Sequence, residues 1–88
     1  MLNITDIRLK LVDNEDTKIR AIASITIDGC FVVHDLKVIA SDKGDFVVMP
    51  SKKTKEGKFQ DLAHPINTET RNMIQDKVLA KYNEVKNQ

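Results

Sequence analysis

The sequence predicts an α+β fold, with a small antiparallel β-sheet of about four to five strands and a C-terminal α-helix packed on it. Polar and apolar residues alternate through two segments near the start of the chain. Turn residues then separate several runs that are rich in β-branched side chains. In the last twenty residues the apolar period changes to that of a helix. We therefore expect the strands within about residues 3–63 and the helix at about 68–86.

The first two strands are predicted from strict alternation. Between residues 4 and 12, Ile7, Leu9 and Leu11 lie on one side of an extended chain and charged residues lie on the other. The polar run DNEDT at 13–17 predicts a turn. Alternation resumes at residues 19–27, where the apolar positions include two alanines. The pattern is typical of a half-buried hairpin.

The third predicted element begins after Asp28 and Gly29, which form a strong hairpin-turn signal. The following run, CFVVHDLKVIA at residues 30–40, is rich in β-branched residues and predicts a strand. A helix remains an alternative for this segment, because Val32, Leu36 and Ile39 would also share one helical face.

A lysine-rich segment follows a short apolar run at residues 46–49, which predicts a strand ended by Pro50. The chain returns through residues 59–62, so we expect a second hairpin with a long tip. Between residues 46 and 59 there are four lysines and one acidic residue, Glu56, giving this segment a net charge of +3 on a chain of net charge +1. A local excess of positive charge attracts phosphate. The four lysines are Lys52, Lys53, Lys55 and Lys58.

The closing helix has a predicted cap and an apolar stripe. Asn67 or Thr68 can cap its first turn, and Glu69 lies where the helix dipole favours negative charge. The apolar residues then recur at helical spacing, which predicts that this face docks on the sheet. They are Ile74, Val78, Tyr82 and Val85, with Leu79 widening the stripe.

Length and composition limit the classes of protein to which the chain can belong. The 88 residues allow one domain, spanning residues 1–88, and the 41% hydrophobic and 31% charged content is typical of a soluble globular chain. No apolar run approaches the roughly 20 residues of a membrane span, and the start of the chain lacks a signal-peptide core. One cysteine, Cys30, forms no internal disulfide and fits a reducing cytoplasm, so we expect the small core to be supported by homodimer formation. Few aromatic residues argue against a broad base-stacking surface.

Catalytic and metal sites are not favoured by the sequence. Cys30, His34 and Asp35 offer a nucleophile and a base, but in a strand Cys30 and His34 are too far apart for direct hydrogen bonding. Neither histidine forms a zinc-ligand spacing with Cys30, and every glycine is isolated rather than part of a phosphate-binding loop. We therefore expect no enzymatic activity, no metal and no cofactor.

Several motifs occur in order at close spacing: FVVHDLKVI, FVVMPSKKT, GKFQDLAHPIN and the closing helix. Over nearly the whole chain they resemble the SpoVG family, named for stage V sporulation protein G. The resemblance implies a small bacterial cytoplasmic protein, typically dimeric, linked to negative control of asymmetric septation, to sporulation and to site-specific DNA binding. It also implies that the basic element after MPS corresponds to Lys52 and Lys53. Many relatives have an arginine there, and lysine lacks its planar fork for bidentate contacts.

Alternatives stay open beside this reading. Arg71, Lys77 and Lys81 on the helix either add nucleic-acid contacts or form an ordinary solvated face. RNA could replace DNA, because attraction to a phosphate backbone does not distinguish them. A different class of function is a protein-interaction module of the division or sporulation machinery, in which the lysines serve only solubility. A small enzyme would require a closed pocket joining Cys30, His34 and Asp35.

Overall fold

The computed structural model describes residues 3–13 and 16–87 and confirms the α+β class. Four antiparallel strands form one sheet in the order β1-β2-β3-β4, and two short strands form a separate antiparallel pair. One C-terminal helix follows. The elements are β1 (Ile4–Leu11), β2 (Ile19–Ile27), β3 (Phe31–Ser41), β4 (Gly44–Val48), β5 (Ser51–Lys53), β6 (Phe59–Asp61) and α1 (Thr68–Lys86).

The first hairpin is confirmed, with Leu9 opposite Ala23 in the β1–β2 register. A register shift near the start of β1 places Ile4, like Ile7, against the core, although the two are three residues apart. The predicted apolar face ends early, because Leu11 is 44% exposed. Residues 14 and 15 of the predicted turn lie outside the described residues.

Strand β2 forms the centre of the core. Its predicted alternation is confirmed, since Ala21, Ala23 and Ile25 are buried. The two alanines have small side chains, and each is almost completely inaccessible to solvent. The remaining core residues, on β3, β4, the segment after β4 and the helix, are Leu36, Val38, Val47, Met49, Ile74, Val78 and Tyr82.

Residues 31–41 form a strand, so the helical alternative is wrong. Asp28 and Gly29 both have positive φ values, 53° and 68°, and the amide of Cys30 donates to the carbonyl of Ile27 at 3.1 Å. These features are typical of a tight turn that reverses the chain between antiparallel strands. The turn signal read from the sequence is therefore confirmed.

A β-bulge interrupts the alternation of β3. Val33 pairs with Ile25 and Leu36 pairs with Ala23, so one residue of β2 faces two residues of β3. Asp35, inside the bulge, has a left-handed backbone with φ of 69°. Because of the extra residue, Val33 and Leu36 both contact the core although they are three apart. The helical face considered from the sequence does not form, because Val32 is 46% exposed whereas Leu36 is buried.

The predicted second hairpin was wrong in its pairing. Strand β4 pairs with β3, with Val38 opposite Val47, and joins it through a tight connection in which Gly44 has φ of 117°. The chain then leaves this sheet at Met49 and Pro50, both buried. Residues 59–61 pair with residues 51–53 and not with 46–49. The lysine-rich segment is therefore a hairpin of its own.

The helix matches its prediction at both ends and on its apolar face. Asn67 is the N-cap, and its side-chain oxygen accepts a hydrogen bond from the Thr70 amide at 2.8 Å. Ile74, Val78 and Tyr82 are buried, while Leu79 and Val85 are half-buried. The helix packs across one face of the four-stranded sheet and contacts β1 and β4.

The opposite face of this sheet is not covered by any described element. Ile22, Lys37 and Val48 are neighbours there, because Ile22 pairs with Lys37 and Lys37 pairs with Val48. Ile22 and Phe46 are each 38% exposed. This uncovered face is a mixture of apolar and basic side chains.

Candidate nucleic-acid interface

The basic hairpin, residues 51–61, is held together by its own ladder. Its three strand pairs match Ser51 with Asp61, Lys52 with Gln60 and Lys53 with Phe59. The pairing extends toward the body of the protein, where the Leu62 amide donates to the Pro50 carbonyl at 2.8 Å. Since Pro50 is buried, this bond attaches the hairpin to the core.

The tip of the basic hairpin is tight, whereas the sequence predicted a long one. The Thr54 amide donates to the Lys58 carbonyl at 2.6 Å, and the Gly57 amide donates to the Thr54 carbonyl at 3.0 Å. The Thr54 hydroxyl also accepts from the Lys58 amide at 3.2 Å. Gly57 has φ of 83°, so the turn uses a conformation that favours glycine. The loop is reduced to residues 55–57.

The four predicted lysines are all exposed, but they do not share one surface. Successive side chains of a strand point to opposite faces, so Lys52 and Lys53 in β5 lie on different sides of the hairpin. Lys55 is in the loop and Lys58 immediately precedes β6. Each face of the basic hairpin therefore carries at least one lysine.

These ammonium groups are not neutralised by neighbouring carboxylates. Within the described ranges, no carboxylate lies at ion-pair distance from any of the four, and the ion pair that is seen joins Arg8 to Asp6 on β1 at 3.2 Å. Glu56 is the acidic residue of the loop, and Asp61 shares a face with Lys53. The basic hairpin can therefore offer free cations to a polyanion.

The two faces of the basic hairpin carry different chemistry. One face has Lys52 opposite Gln60, a cation beside an amide. The other has Lys53 opposite Phe59, and the phenylalanine is 75% exposed. The sequence had indicated the lysines and missed Phe59 as an exposed ring. Its position next to Lys58 is the signal that could have identified it.

The helix cations lie elsewhere. Lys77 and Lys81 border a shallow groove against the start of β1, together with the acidic residues Asp6 and Glu84. Arg71 borders a separate depression beside residues 64–68. Neither surface shares a lining residue with the groove along the basic hairpin. The structure thus leaves the three helix cations as candidates that are separate from the hairpin lysines.

The geometry required by the enzyme alternative is absent. Cys30, His34 and Asp35 are all exposed, so they do not line a closed pocket. His34 Nδ1 lies 2.8 Å from the Ser24 hydroxyl. Over residues 3–13 and 16–87, no three histidine, cysteine or acidic side chains are grouped as a metal site. The helix within these ranges is not apolar enough to cross a membrane.

Comparison with known proteins gives consistent matches along the chain. The SpoVG family model matches residues 2–84. A Priestia megaterium protein is 57% identical over 81 residues, covering 92% of this chain and 83% of the relative. Proteins of Clostridium perfringens and Caldicellulosiruptor bescii are 52% and 51% identical, covering 98% and 96% of this chain and 94% of each relative. All three carry the name "Putative septation protein SpoVG".

Proposed function

Because the chain belongs to the SpoVG family, we propose that it is a non-enzymatic regulator of septation that binds nucleic acid through the basic hairpin. The names of the relatives support the septation role, and they describe no enzyme. The observation that carries the nucleic-acid part is a self-contained hairpin whose four lysines are exposed and have no ion-pair partner among the described residues.

The proposal includes the finer role that the family resemblance implies. In it, the protein acts in the cytoplasm as a site-specific DNA-binding factor, in negative control of asymmetric septation and in sporulation. It needs no metal and no cofactor. Site specificity requires contacts to base edges as well as to phosphate. Gln60 lies beside Lys52, and its side-chain amide can both donate and accept, which supports a role for it in such a contact.

The strength of binding follows from counterion release. On duplex DNA each neutralised phosphate contributes about −0.9 to the slope of log affinity against log salt. Three or four hairpin lysines therefore give a slope of roughly −3 for one chain. Such a monomer binds weakly at physiological salt, and two hairpins on one ligand would bind much more tightly.

A homodimer is part of the proposal. Strands β1 and β4 are the edges of the four-stranded sheet, and the uncovered face exposes Ile22 and Phe46. Exposed edges and apolar faces are common sites of self-association. Light scattering at micromolar concentration should give the mass of two chains. The mass of one chain would show that the homodimer proposal is wrong.

The decisive experiment is a salt series with duplex DNA. In the variant Lys52→Ala with Lys53→Ala, we expect affinity at 0.15 M salt to fall roughly 30-fold and the slope to become less negative by about 2, since two phosphate contacts are lost. The matched control is Lys10→Ala with Lys43→Ala, two exposed lysines outside the hairpin and the helix, which should change neither quantity. In Lys77→Ala with Lys81→Ala, unchanged affinity would remove these two helix candidates, and a comparable loss would add them to the interface. The same series with RNA measures the preference between the two polymers.

A protein partner is the second candidate function. The chain that follows β6 exposes two large apolar side chains, Leu62 at 67% and Ile66 at 90%. Exposed apolar side chains can contribute to a contact site for another protein, which in this candidate function belongs to the division machinery. Equal affinity of the parent and the Lys52→Ala, Lys53→Ala variant, or a flat salt response, would favour this candidate over nucleic-acid binding.

A further inference from the structure

Phe59 is the most exposed aromatic side chain of the described residues. It is 75% exposed in β6, outside the hydrophobic core and outside the set of half-buried residues that pack against it. Burial in this position would normally stabilise a fold, because a phenylalanine ring has a large apolar area. Here the ring stabilises no core, so it is free to contact a ligand.

Lysines lie on both sides of Phe59. Lys53 lies directly opposite in the ladder, on the same face of the hairpin, and Lys58, the preceding residue, lies toward the other face. The face of Phe59 also carries Asp61, which is paired with Ser51. Across the described residues, the cation that lies over an aromatic ring is Lys86, 5.1 Å from the ring centroid of Tyr82. No lysine covers Phe59. Its ring is therefore available to a ligand while the neighbouring ammonium groups are also free.

An exposed aromatic ring among free lysines matches the chemistry of an unpaired nucleotide. The flat face of a base stacks on the ring, and the adjoining phosphates contact the ammonium groups. In a duplex both faces of each base are already stacked, and separating a base step costs a few kcal/mol. The ring therefore gains little from intact duplex.

We propose that Phe59 is a stacking platform and that the preferred ligand of the basic hairpin is single-stranded nucleic acid or an unpaired base in a longer molecule. This rests on the proposed function, because it assigns the ligand class of the same hairpin. Stacking does not distinguish DNA from RNA, so the ring accepts an unpaired base of either polymer. Phe31 is also more than half exposed, at 63%, but it lies opposite Ile27 in the sheet and not opposite a lysine.

The first test is binding of single strands of about 12 nucleotides, a length within the range of single-strand binding sites. Labelled DNA and RNA strands of one sequence are compared with the matching DNA duplex by fluorescence anisotropy. Phe59→Ala should lower the affinity for both single strands by about 5- to 150-fold, the range for loss of one stacked base. It should change the affinity for the duplex by less than about 2-fold. Phe59→Tyr should restore single-strand affinity.

The matched control is Leu62→Ala, which removes another exposed apolar side chain, 67% accessible, one residue after β6. It should leave all three affinities unchanged. If Leu62→Ala and Phe59→Ala weaken single-strand binding equally, the contact is general apolar packing and the stacking proposal is wrong. If Phe59→Ala instead lowers the mass of the protein in light scattering, the ring belongs to a contact between two copies and the proposal is also wrong.

A spectroscopic measurement tests stacking directly. The chain has no tryptophan, so Phe59→Trp introduces a single indole at the proposed platform. Saturating single strand should quench its fluorescence strongly and duplex should quench it little. Equal quenching by both ligands would contradict the preference for unpaired bases.

The outcomes separate this inference from the proposed function. Loss of affinity for every ligand in the Lys52→Ala, Lys53→Ala variant, with Phe59→Ala unchanged, supports nucleic-acid binding and overturns the stacking platform. Unchanged affinity in both variants overturns the two together. We expect Phe59→Ala to lose affinity for single strands only, and the Lys52→Ala, Lys53→Ala variant to lose affinity for every ligand.

Discussion

Asp35 is a strand residue with a positive φ, which is rare for residues other than glycine. Its φ of 69° lies in the left-handed region, where an aspartate is tolerated and a β-branched side chain is not. The consequence is the bulge that keeps Val33 and Leu36 on the core side of β3. One unusual dihedral thus determines the packing of the residues on either side.

Replacing this residue tests the bulge. Asp35→Val should lower the free energy of unfolding by about 1–2 kcal/mol, the cost of a left-handed backbone for such a side chain. Urea denaturation measures the change. Asp45→Val in β4 is the matched control, because Asp45 has no positive φ, and it should leave stability unchanged or raise it. A similar loss in both variants would show that removal of the carboxylate, and not backbone strain, is responsible.

The exposure of the hairpin lysines could be predicted from the sequence, but their division between two faces could not. Ser51, Lys52 and Lys53 are all polar, so this segment has no alternation of polar and apolar residues from which the two faces could be predicted. Only the ladder shows that Lys52 and Lys53 point in opposite directions. Phe59 was missed for a related reason, since an aromatic residue in a strand is more often part of a core.

Among the elements, the basic hairpin has the least support from the rest of the fold. A two-stranded hairpin is marginal by itself, and this one is closed by the bonds around Thr54 and joined to the body through Pro50. Gly57 is the one glycine of its tip, with φ of 83° and no atom within 4 Å of where a Cβ would lie. Substitution there adds backbone strain without a steric clash.

A variant at the tip should therefore open the hairpin alone. Gly57→Ala should raise amide hydrogen exchange at Thr54 and Lys58 by roughly 5- to 30-fold, since the left-handed residue costs about 1–2 kcal/mol. The urea midpoint of the whole protein should stay unchanged, because these bonds lie outside the four-stranded sheet. Glu56→Ala is the control at the neighbouring position and should leave exchange at both amides unchanged. A shifted midpoint in Gly57→Ala would indicate that the hairpin and the core unfold together.

Helices and strands were predicted correctly where the repeat of polar and apolar residues is uninterrupted. The helix, with its cap at Asn67, and the first hairpin repeat their patterns over many residues. The third strand was ambiguous because its apolar residues do not alternate strictly, and the bulge at Asp35 is where the alternation is interrupted. The predicted pairing partner of β4 was wrong because turn signals show where the chain reverses direction. They do not show which strand the next strand pairs with. Pairing is decided by tertiary contacts such as those of Val38 with Val47.

At the scale of the whole molecule, stability and the proposed binding site are carried by different residues. The core lies between the helix and one face of the four-stranded sheet, and Leu36 is completely buried there. The basic hairpin and the chain after it contribute exposed side chains, including Leu62. Core and hairpin can therefore be changed independently.

Truncating one leucine in each place tests this separation. Leu36→Ala should lower the free energy of unfolding by about 2–5 kcal/mol, because it leaves a cavity in the core. A domain of this size is stable by only about 5–15 kcal/mol, so urea denaturation should show a large shift. Leu62→Ala should change stability by less than about 0.5 kcal/mol. Comparable losses in the two variants would place the residues after β6 in the core.

The arrangement of Lys52 and Lys53 on opposite sides has one more consequence. A hairpin with a lysine on each face can attract a distant polyanion from either side, so long-range attraction does not select one face for the approaching ligand. The first encounter is then productive from either side. The final orientation must come from short-range asymmetry, which Phe59 on one side and Gln60 on the other provide.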